Sequence, residues 1–141
     1  MQVSDVMTMS AECVRPSNSL QEAALMMKYL NVGALPVCDN DRLVGLLTDR
    51  DIVVRAVAEG YDNWVNSVQD VMTPAVRCCF DEQDVQEAAQ LMSVHQVRRL
   101  FVLNQDKGLV GIVSLGDLAV ETEDEKLARR TLEHVSLPTY L

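Results

Sequence analysis

The residues best able to do chemistry in this 141-residue chain form one short pattern that occurs twice. The pattern is a glycine, two aliphatic residues, a hydroxyl residue, two variable positions and an aspartate. Its hydroxyl and carboxylate are Thr48 and Asp51 in one copy, and Ser114 and Asp117 in the other. Each copy is predicted to lie where a strand passes into a helix, a place where α/β proteins tend to bind ligands. There a carboxylate can accept hydrogen bonds from two sugar hydroxyls, and the free N–H groups of a helix start can bind an anion.

The same residues also fit a purely structural role at the start of a helix. Threonine and serine are favoured N-caps, and an acid three residues later completes a reciprocal capping box. A capping box is a common pattern, so one copy alone would favour the structural interpretation. Recurrence at equivalent positions favours a ligand site, and the sequence leaves both interpretations open.

The elements that must position these residues follow from an internal duplication. Asp5-Val6-Met7-Thr8 recurs as Asp70-Val71-Met72-Thr73, an offset of 65 residues. At the same offset Gln21-Glu22-Ala23-Ala24 recurs as Gln86-Glu87-Ala88-Ala89, and after the extra residue Gly108 the offset becomes 66. Such a long shared register indicates tandem copies of one unit. The predicted divisions are a first repeat over residues 1–62, a second over residues 63–122, and a C-terminal helix and tail over residues 123–141.

Each copy predicts the order helix, strand, strand, helix, with a short extended segment before it, so the fold class is α/β. Ser19 and Asp84 are predicted N-caps, each with a reciprocal acid three residues later. In the tail, acids followed by bases predict one more helix, closed by Pro138. Its apolar residues can pack on the body of the protein or on a second subunit, and packing on the body is favoured. The predicted strands are residues 34–38, 43–47, 100–103 and 109–113, and the predicted second helices are residues 49–59 and 115–121.

Composition and charge argue against several classes of protein. Apolar residues make up 48% of the chain, so it is not disordered. No apolar run approaches the roughly 20 residues of a membrane span, and the N-terminus has no features of a signal peptide, so we expect a cytoplasmic protein. The net charge is −9 and no basic cluster exceeds a doublet, which argues against nucleic acid and anionic membranes as partners.

The cysteines and histidines suggest no metal site. There is no Cys-x-x-Cys pair, and the two histidines, His95 and His134, lie far apart in the sequence. Without an export signal, we expect all four cysteines to be reduced thiols packed as small apolar residues.

Taken together, these motifs resemble a tandem pair of CBS domains, named after cystathionine beta-synthase and known as a Bateman module. The resemblance rests on the two Asp-Val-Met-Thr segments, on Ala34-Leu35-Pro36-Val37 and on the two Gly-x-x-Thr/Ser-x-x-Asp segments, and it extends from residue 1 to about 122. It implies that the two copies pack by their sheets about a pseudo-twofold axis and leave two clefts. In that family the clefts often bind AMP, ADP, ATP or S-adenosylmethionine as a regulatory ligand, and the modules commonly form homodimers. The regulated partner is unknown.

The resemblance also implies roles for individual residues. Asp51 and Asp117 would accept the ribose hydroxyls, while Thr48 and Ser114 would lie near the phosphate or ribose. The adenine would be flanked by strand residues, the phosphate would meet basic residues, and the main chain of two short segments would close the pocket. These further candidates are Ala34, Pro36 and Phe101 for the adenine, Arg98, Arg99 and Arg50 for the phosphate, and Val14 and Val76 for the main chain.

Two departures from the family pattern leave open whether one cleft or both bind. The second copy has Arg98-Arg99 just before its middle strand, where the first copy has Gly33-Ala34. Phe101 replaces the usual proline. Arg50 is the residue that can substitute for the missing charge in the first copy.

Two other classes of function compete with a ligand sensor. An enzyme is disfavoured, because the chain lacks a Gly-x-Ser-x-Gly elbow, a phosphate-binding Gly-x-x-x-x-Gly-Lys loop and a His-Glu-x-x-His helix. A dimerisation or protein-interaction scaffold with empty clefts remains the alternative.

Overall fold

The computed structural model describes residues 1–9, 12–74 and 77–138. The chain forms two compact units. We call Glu12–Val76 the first unit, and Met1–Ala11 together with Arg77–Leu141 the second unit. In chain order the elements are α1 (Val3–Val6), β1 (Thr8–Met9), α2 (Leu20–Leu30), β2 (Ala34–Asp39), β3 (Arg42–Thr48), α3 (Asp49–Asp51), a π-helix (Ile52–Val57), a 3-10 turn (Val68–Asp70), β4 (Cys78–Phe80), α4 (Val85–His95), β5 (Arg99–Leu103), β6 (Leu109–Ser114), α5 (Leu115–Glu121) and α6 (Glu125–Val135).

The first unit is built on the antiparallel hairpin of β2 and β3. One face of the hairpin carries Leu35, Val37 and Leu47, which are buried in a cluster with Leu20 and Ala23 of α2. These α2 residues recur at helical spacing, so burying them fixes which face of the helix meets the sheet. The apolar pattern of the sequence therefore determines the core of this unit.

The second unit contains a four-stranded sheet in the order β1-β6-β5-β4. β5 pairs with β6 in an antiparallel hairpin, and β4 lies parallel to β5. Leu100, Val102 and Val113 lie on the face covered by α4 and α5, with Met92 and Leu118 at the centre of the core. The plan repeats that of the first unit, as the duplication predicts.

The segment that leads into each repeat lies in the unit formed by the other repeat. In the second unit Thr8 pairs with Ile112 of β6, and in the first unit Thr73 bridges Leu46 of β3. The compact units therefore differ from the predicted repeats of residues 1–62 and 63–122, because each unit contains the leading segment of the other repeat. Those repeat boundaries remain a prediction about the sequence.

The predicted elements are confirmed, with differences at their ends. Each predicted strand is one or two residues longer in the structure, and α5 has its predicted bounds. The predicted helix of residues 49–59 begins as expected but continues as a π-helix, and α6 starts after the N-cap Asp124. The prediction of reciprocal acids at Ser19 and Asp84 is wrong: both residues cap their helices, but the acids instead accept hydrogen bonds from Asn18 and Gln83.

Candidate functional site

Both copies of the repeated pattern form complete capping boxes. Thr48 Oγ1 accepts from the Asp51 N–H at 3.0 Å, and Asp51 Oδ2 accepts from the Thr48 N–H at 2.9 Å. Ser114 and Asp117 make the same two bonds at 3.0 and 2.8 Å. The capping-box interpretation is therefore confirmed for these atoms, since one carboxylate oxygen of each aspartate accepts a hydrogen bond at the start of its own helix.

The second carboxylate oxygen distinguishes the two copies. Asp51 Oδ1 lies 3.8 Å from the Arg55 Nε, and the Asp51 side chain is only 13% exposed. Arg55 also donates from Nη1 to the Val71 carbonyl at 3.1 Å. Among the described residues, none donates a hydrogen bond to Asp117 Oδ1 or forms an ion pair with it. Asp117 is half-buried, and of the two carboxylates in the pattern it is the one whose second oxygen forms no ion pair with a described residue.

In the second unit the candidate residues share one face of the sheet. Arg99 pairs with Ser114 across β5 and β6, and Phe101 pairs with Ile112. Directly opposed residues of a sheet point to the same side, and side chains alternate along each strand. Because the alternate residues belong to the core, Arg99, Phe101 and Ser114 lie on the opposite face. Phe101 is 7% exposed although it lies outside the core cluster of this unit.

The first unit arranges its candidates in the same way. Ala34 pairs with Thr48, and Pro36 pairs with Leu46, on the face of the hairpin opposite the core. Pro36 is buried and Ala34 half-buried. The two sets of predicted residues are thus brought together within their own units, each beside a capping box.

The basic candidates of the second unit are exposed beside the helix start. The N–H of Leu115, the first residue of α5, donates to the Arg98 carbonyl at 2.8 Å. This bond places Arg98 next to the first turn of α5, while Arg99 opposes Ser114. Among the described residues neither guanidinium forms an ion pair, so both charges are available to an anion.

The matching junction in the first unit lacks the two cations and contains an acid instead. There the N–H of Asp49 donates to the Gly33 carbonyl at 2.9 Å, so Gly33 and Asp49 replace Arg98 and Leu115. A Cβ added to Gly33 would approach Asp49 Oδ2 to 3.0 Å, so a larger residue there would crowd this carboxylate. Arg50 is exposed, and its N–H donates to Asp49 Oδ1. A phosphate at the start of α3 would therefore lie near the Asp49 carboxylate, whereas at the start of α5 it would lie near two arginines.

The predicted main-chain segments lie beside the middle strands. The Val14 N–H donates to the Pro36 carbonyl at 3.0 Å, and the Cys38 N–H donates to the Val14 carbonyl at 2.9 Å. In the second unit the Phe101 N–H donates to the Arg77 carbonyl at 3.3 Å. The remaining candidate, Val76, lies outside the described residues.

The role of the glycine in the repeated pattern was not predicted from the sequence. A Cβ on Gly111 would lie 2.7 Å from the Thr8 carbonyl oxygen, and one on Gly45 would lie 2.8 Å from Met72 Sδ. Because these glycines have no side chain, the Met-Thr of the Asp-Val-Met-Thr segment from the other repeat can pack closely against each of them. The sequence does contain a sign of this contact. The glycine motif and the Asp-Val-Met-Thr segment both recur, as expected if each copy of one packs on a copy of the other.

The aspartate of Asp-Val-Met-Thr is structural as well. Asp5 Oδ2 accepts from the Gln2 N–H and Asp70 Oδ2 from the Ser67 N–H, both at 2.9 Å. These carboxylates cap the short helical turns that precede Met7 and Met72. The segment therefore contributes to folding through its capping acid and its close packing.

Two cavities have linings that include none of the predicted site residues. One of about 730 Å³ borders Cys13, Cys38 and the turn between β2 and β3, and one of about 500 Å³ lies between α4 and α6. Burial, reinforced by the neighbouring Cys13 thiol, raises the pKa of Cys38 to about 12. Burial also raises the pKa of Cys79 to about 12, so both thiols stay protonated near neutral pH.

Three further properties bear on the possible classes of site and of protein. All four cysteines are free thiols. Within residues 1–9, 12–74 and 77–138, no three His, Cys, Asp or Glu side chains are grouped so that they could hold a metal ion. Within the same residues, no helix has both the length and the apolar character needed to span a bilayer.

Comparison with known proteins agrees with this architecture. The model of the CBS domain family matches residues 3–57 and 68–123. The Bacillus subtilis CBS domain-containing protein YhcV is 42% identical over 134 residues, covering 95% of this chain and 94% of that protein.

Two solved structures extend the comparison. The crystal structure of Hypoxic Response Protein I with two coordinated zinc ions has a TM-score of 0.76 at 36% identity, over 86% of this chain and 98% of that one. The crystal structure of CBSX2 in complex with AMP has a TM-score of 0.73 at 29% identity, over 89% of this chain and 98% of that one. The chain therefore belongs to the CBS domain family and carries two CBS domains in tandem.

Proposed function

We propose that this CBS pair is a non-catalytic regulatory module that binds an adenine nucleotide and so modulates a partner protein. The ligand class comprises AMP, ADP, ATP and S-adenosylmethionine. The observation that carries the proposal is the arrangement in the second unit, where Phe101, Arg99 and Ser114 share one sheet face beside an unengaged oxygen of Asp117. The AMP complex of CBSX2, a structural relative, supports this ligand class.

The chemistry of each group matches one part of a nucleotide. Asp117 Oδ1 accepts from ribose hydroxyls, because its partner oxygen Oδ2 is already held by the Ser114 N–H. Arg98 and Arg99 pair with phosphate oxygens, which guanidinium groups bind well. Phe101 lies on the same sheet face but is only 7% exposed, so it contributes at most a ring edge to the adenine. The second unit is therefore the proposed site for a ligand that carries phosphate.

The first unit is the weaker candidate for such a ligand. The second oxygen of Asp51 is directed towards Arg55, and Asp49 replaces the cationic environment. A ligand without phosphate, or with a positive charge such as S-adenosylmethionine, meets less repulsion there. The proposal therefore gives the two junctions different preferences.

The test is a ligand series measured by calorimetry and thermal shift. A ligand at about 100 times its dissociation constant stabilises the folded state by about 2.7 kcal/mol. Asp117→Asn keeps an oxygen for the capping bond but removes the charge, so we expect AMP affinity to fall about tenfold. Asp51→Asn is the matched control, and we expect it to change AMP affinity less than twofold.

A second candidate function is a scaffold for dimerisation or protein interaction that binds no nucleotide. The complete capping boxes favour it, because they engage all four of the hydroxyl and carboxylate side chains without a ligand. If none of the four ligands stabilises the protein or gives binding heat, the nucleotide proposal fails and the scaffold remains. The homodimer, the partner and a cytoplasmic location stay predictions.

A further inference from the structure

Two of the four cysteines lie side by side in the first unit. The Val14 N–H donates to the Pro36 carbonyl at 3.0 Å, and the Cys38 N–H donates to the Val14 carbonyl at 2.9 Å. These bonds hold the segment before α2 parallel to β2, with Val14 opposite Val37. The Cys13 thiol lies within hydrogen-bonding reach of the Cys38 thiol. The backbone therefore keeps two free thiols next to each other, although they lie far apart in the sequence.

The two thiols border a cavity rather than the apolar core. Cys38 is buried and Cys13 is half-buried, and neither belongs to the core cluster of the first unit. Both line the cavity of about 730 Å³ beside the turn between β2 and β3. Polar and charged side chains form most of the remaining lining, namely Arg15, Ser17, Asp39, Asn40, Asp41 and Gln69. A small polar molecule can therefore approach the pair from solvent.

The two cysteines of the second unit are not placed in this way. At the repeat offset of 65, Cys13 corresponds to Cys78, but Cys38 corresponds to Leu103. Cys78 has Cys79 as its chain neighbour in β4, and successive side chains of a strand point to opposite faces. Cys79 accordingly belongs to the core cluster of the second unit, which does not include Cys78. Cys13 and Cys38 are therefore the pair placed to bond with each other.

We propose that Cys13 and Cys38 form a reversible intramolecular disulfide when a low-molecular-weight disulfide oxidises the protein. The bond ties the segment that precedes α2 to the end of β2, and it closes a loop that contains the whole of α2. Accessible disulfides that form and break under mild conditions are typical of regulatory sites. The proposal therefore assigns a modification site to the first unit, and it does not depend on nucleotide binding.

Cys13 is the attacking residue, because its half-buried sulfur is the more accessible of the two. After losing its proton to solvent, Cys13 attacks one sulfur of the oxidant, whose S–S bond breaks and releases one thiolate. Cys38 then loses its proton and attacks the Cys13 sulfur of this mixed disulfide, which releases the second thiolate. Two protein thiols are thereby oxidised to one disulfide, and the oxidant is reduced to two thiols that take up two protons. Burial raises the pKa of Cys38 to about 12, so the second step is the slower one.

The experiment is titration of the reduced full chain with oxidised glutathione, followed by free-thiol counting and peptide mass spectrometry. We expect the wild type to lose two of its four free thiols and to yield one pair of peptides joined through Cys13 and Cys38. Cys13→Ser should keep its thiols, whereas Cys38→Ser should stop with glutathione attached to Cys13, because the second attack is missing. Cys78→Ser, at the matching position of the second repeat, is the control and should lose two thiols as the wild type does.

Urea unfolding of the wild type tests whether the bond ties the segment to the strand, and it needs no variant that might fail to fold. A disulfide restricts the unfolded chain, so oxidation should raise the urea midpoint by about 1 M, and a thiol reductant should reverse the change. Cys13→Ser should unfold at the same urea concentration before and after treatment. Four thiols that survive oxidation, a mixed disulfide that persists on wild-type Cys13, a bond to Cys78 or Cys79, or a midpoint that does not rise would each overturn the proposal.

Discussion

The two exposed arginines of the second unit should decide how strongly this protein distinguishes AMP from adenosine. Arg98 lies beside the first turn of α5, Arg99 opposes Ser114, and among the described residues neither forms an ion pair. A hydrogen bond to a charged group contributes about 1.5 to 3 kcal/mol. Both side chains are exposed and therefore screened, so we take about 1.5 kcal/mol for each. This corresponds to about a tenfold loss of AMP affinity for each arginine replaced by alanine, and about a hundredfold for both.

Calorimetric titration with AMP and with adenosine separates this effect from a change in the fold. Adenosine has no phosphate, so its affinity should change less than twofold in Arg98→Ala and Arg99→Ala. Both variants should keep the thermal stability of the wild type, because exposed substitutions usually change it by less than about 0.5 kcal/mol. Arg50→Ala is the matched control in the first unit. Equal losses for AMP and adenosine, or a larger AMP loss in Arg50→Ala, would refute the assignment of phosphate to the second unit.

Three further predictions concern stability, measured by urea unfolding. Gly111→Ala should cost about 1 to 3 kcal/mol, because its Cβ would meet the Thr8 carbonyl oxygen at 2.7 Å. Gly45→Ala should cost less, because its Cβ would meet the corresponding Thr73 carbonyl oxygen at 3.0 Å, and equal costs would contradict this. Ser114→Ala removes an N-cap and should cost about 0.5 to 2 kcal/mol, whereas no loss would show that the cap bond contributes nothing. Burial raises the pKa of Cys38 and Cys79 from about 9 to about 12 in the folded protein. Between pH 9 and 12 the unfolded chain loses these protons while the folded protein keeps them, so the free energy of unfolding should fall. Replacing both cysteines with alanine should flatten that fall, and an unchanged slope would contradict the assignment.

Local patterns predicted most of the fold because each acts over a few residues. Apolar spacing located α2 and α4, and turn residues separated the paired strands. Ser19 and Asp84 were recognised as caps, but the partners of their acids were not, since the residue before a cap can compete for the same carboxylate. The spacing of apolar residues did not predict that the helix after α3 is a π-helix.

The arrangement around the candidate site depended on contacts that sequence spacing does not reveal. The repeat predicted that Thr48 and Ser114 would occupy equivalent places, and both do, each opposite the first residue of the preceding strand. The spacing did not reveal that Arg55, on the following helix turn, approaches the second oxygen of Asp51. It also did not reveal that the segment before each repeat packs in the unit of the other repeat. The local sequence would be the same if each segment packed on its own repeat.

The differences between the two repeats are informative because a duplication begins with identical units. Positions that pack, such as Leu35 and Leu100, keep their apolar character in both copies, since the core requires it. Exposed positions have no such constraint, and there the copies diverge in charge and polarity. The second unit has exposed cations beside its helix start, whereas the first unit has an acid at that start. Packing does not require this difference, so the divergence in charge supports the proposal that the second unit, rather than the first, binds the phosphate-bearing ligand.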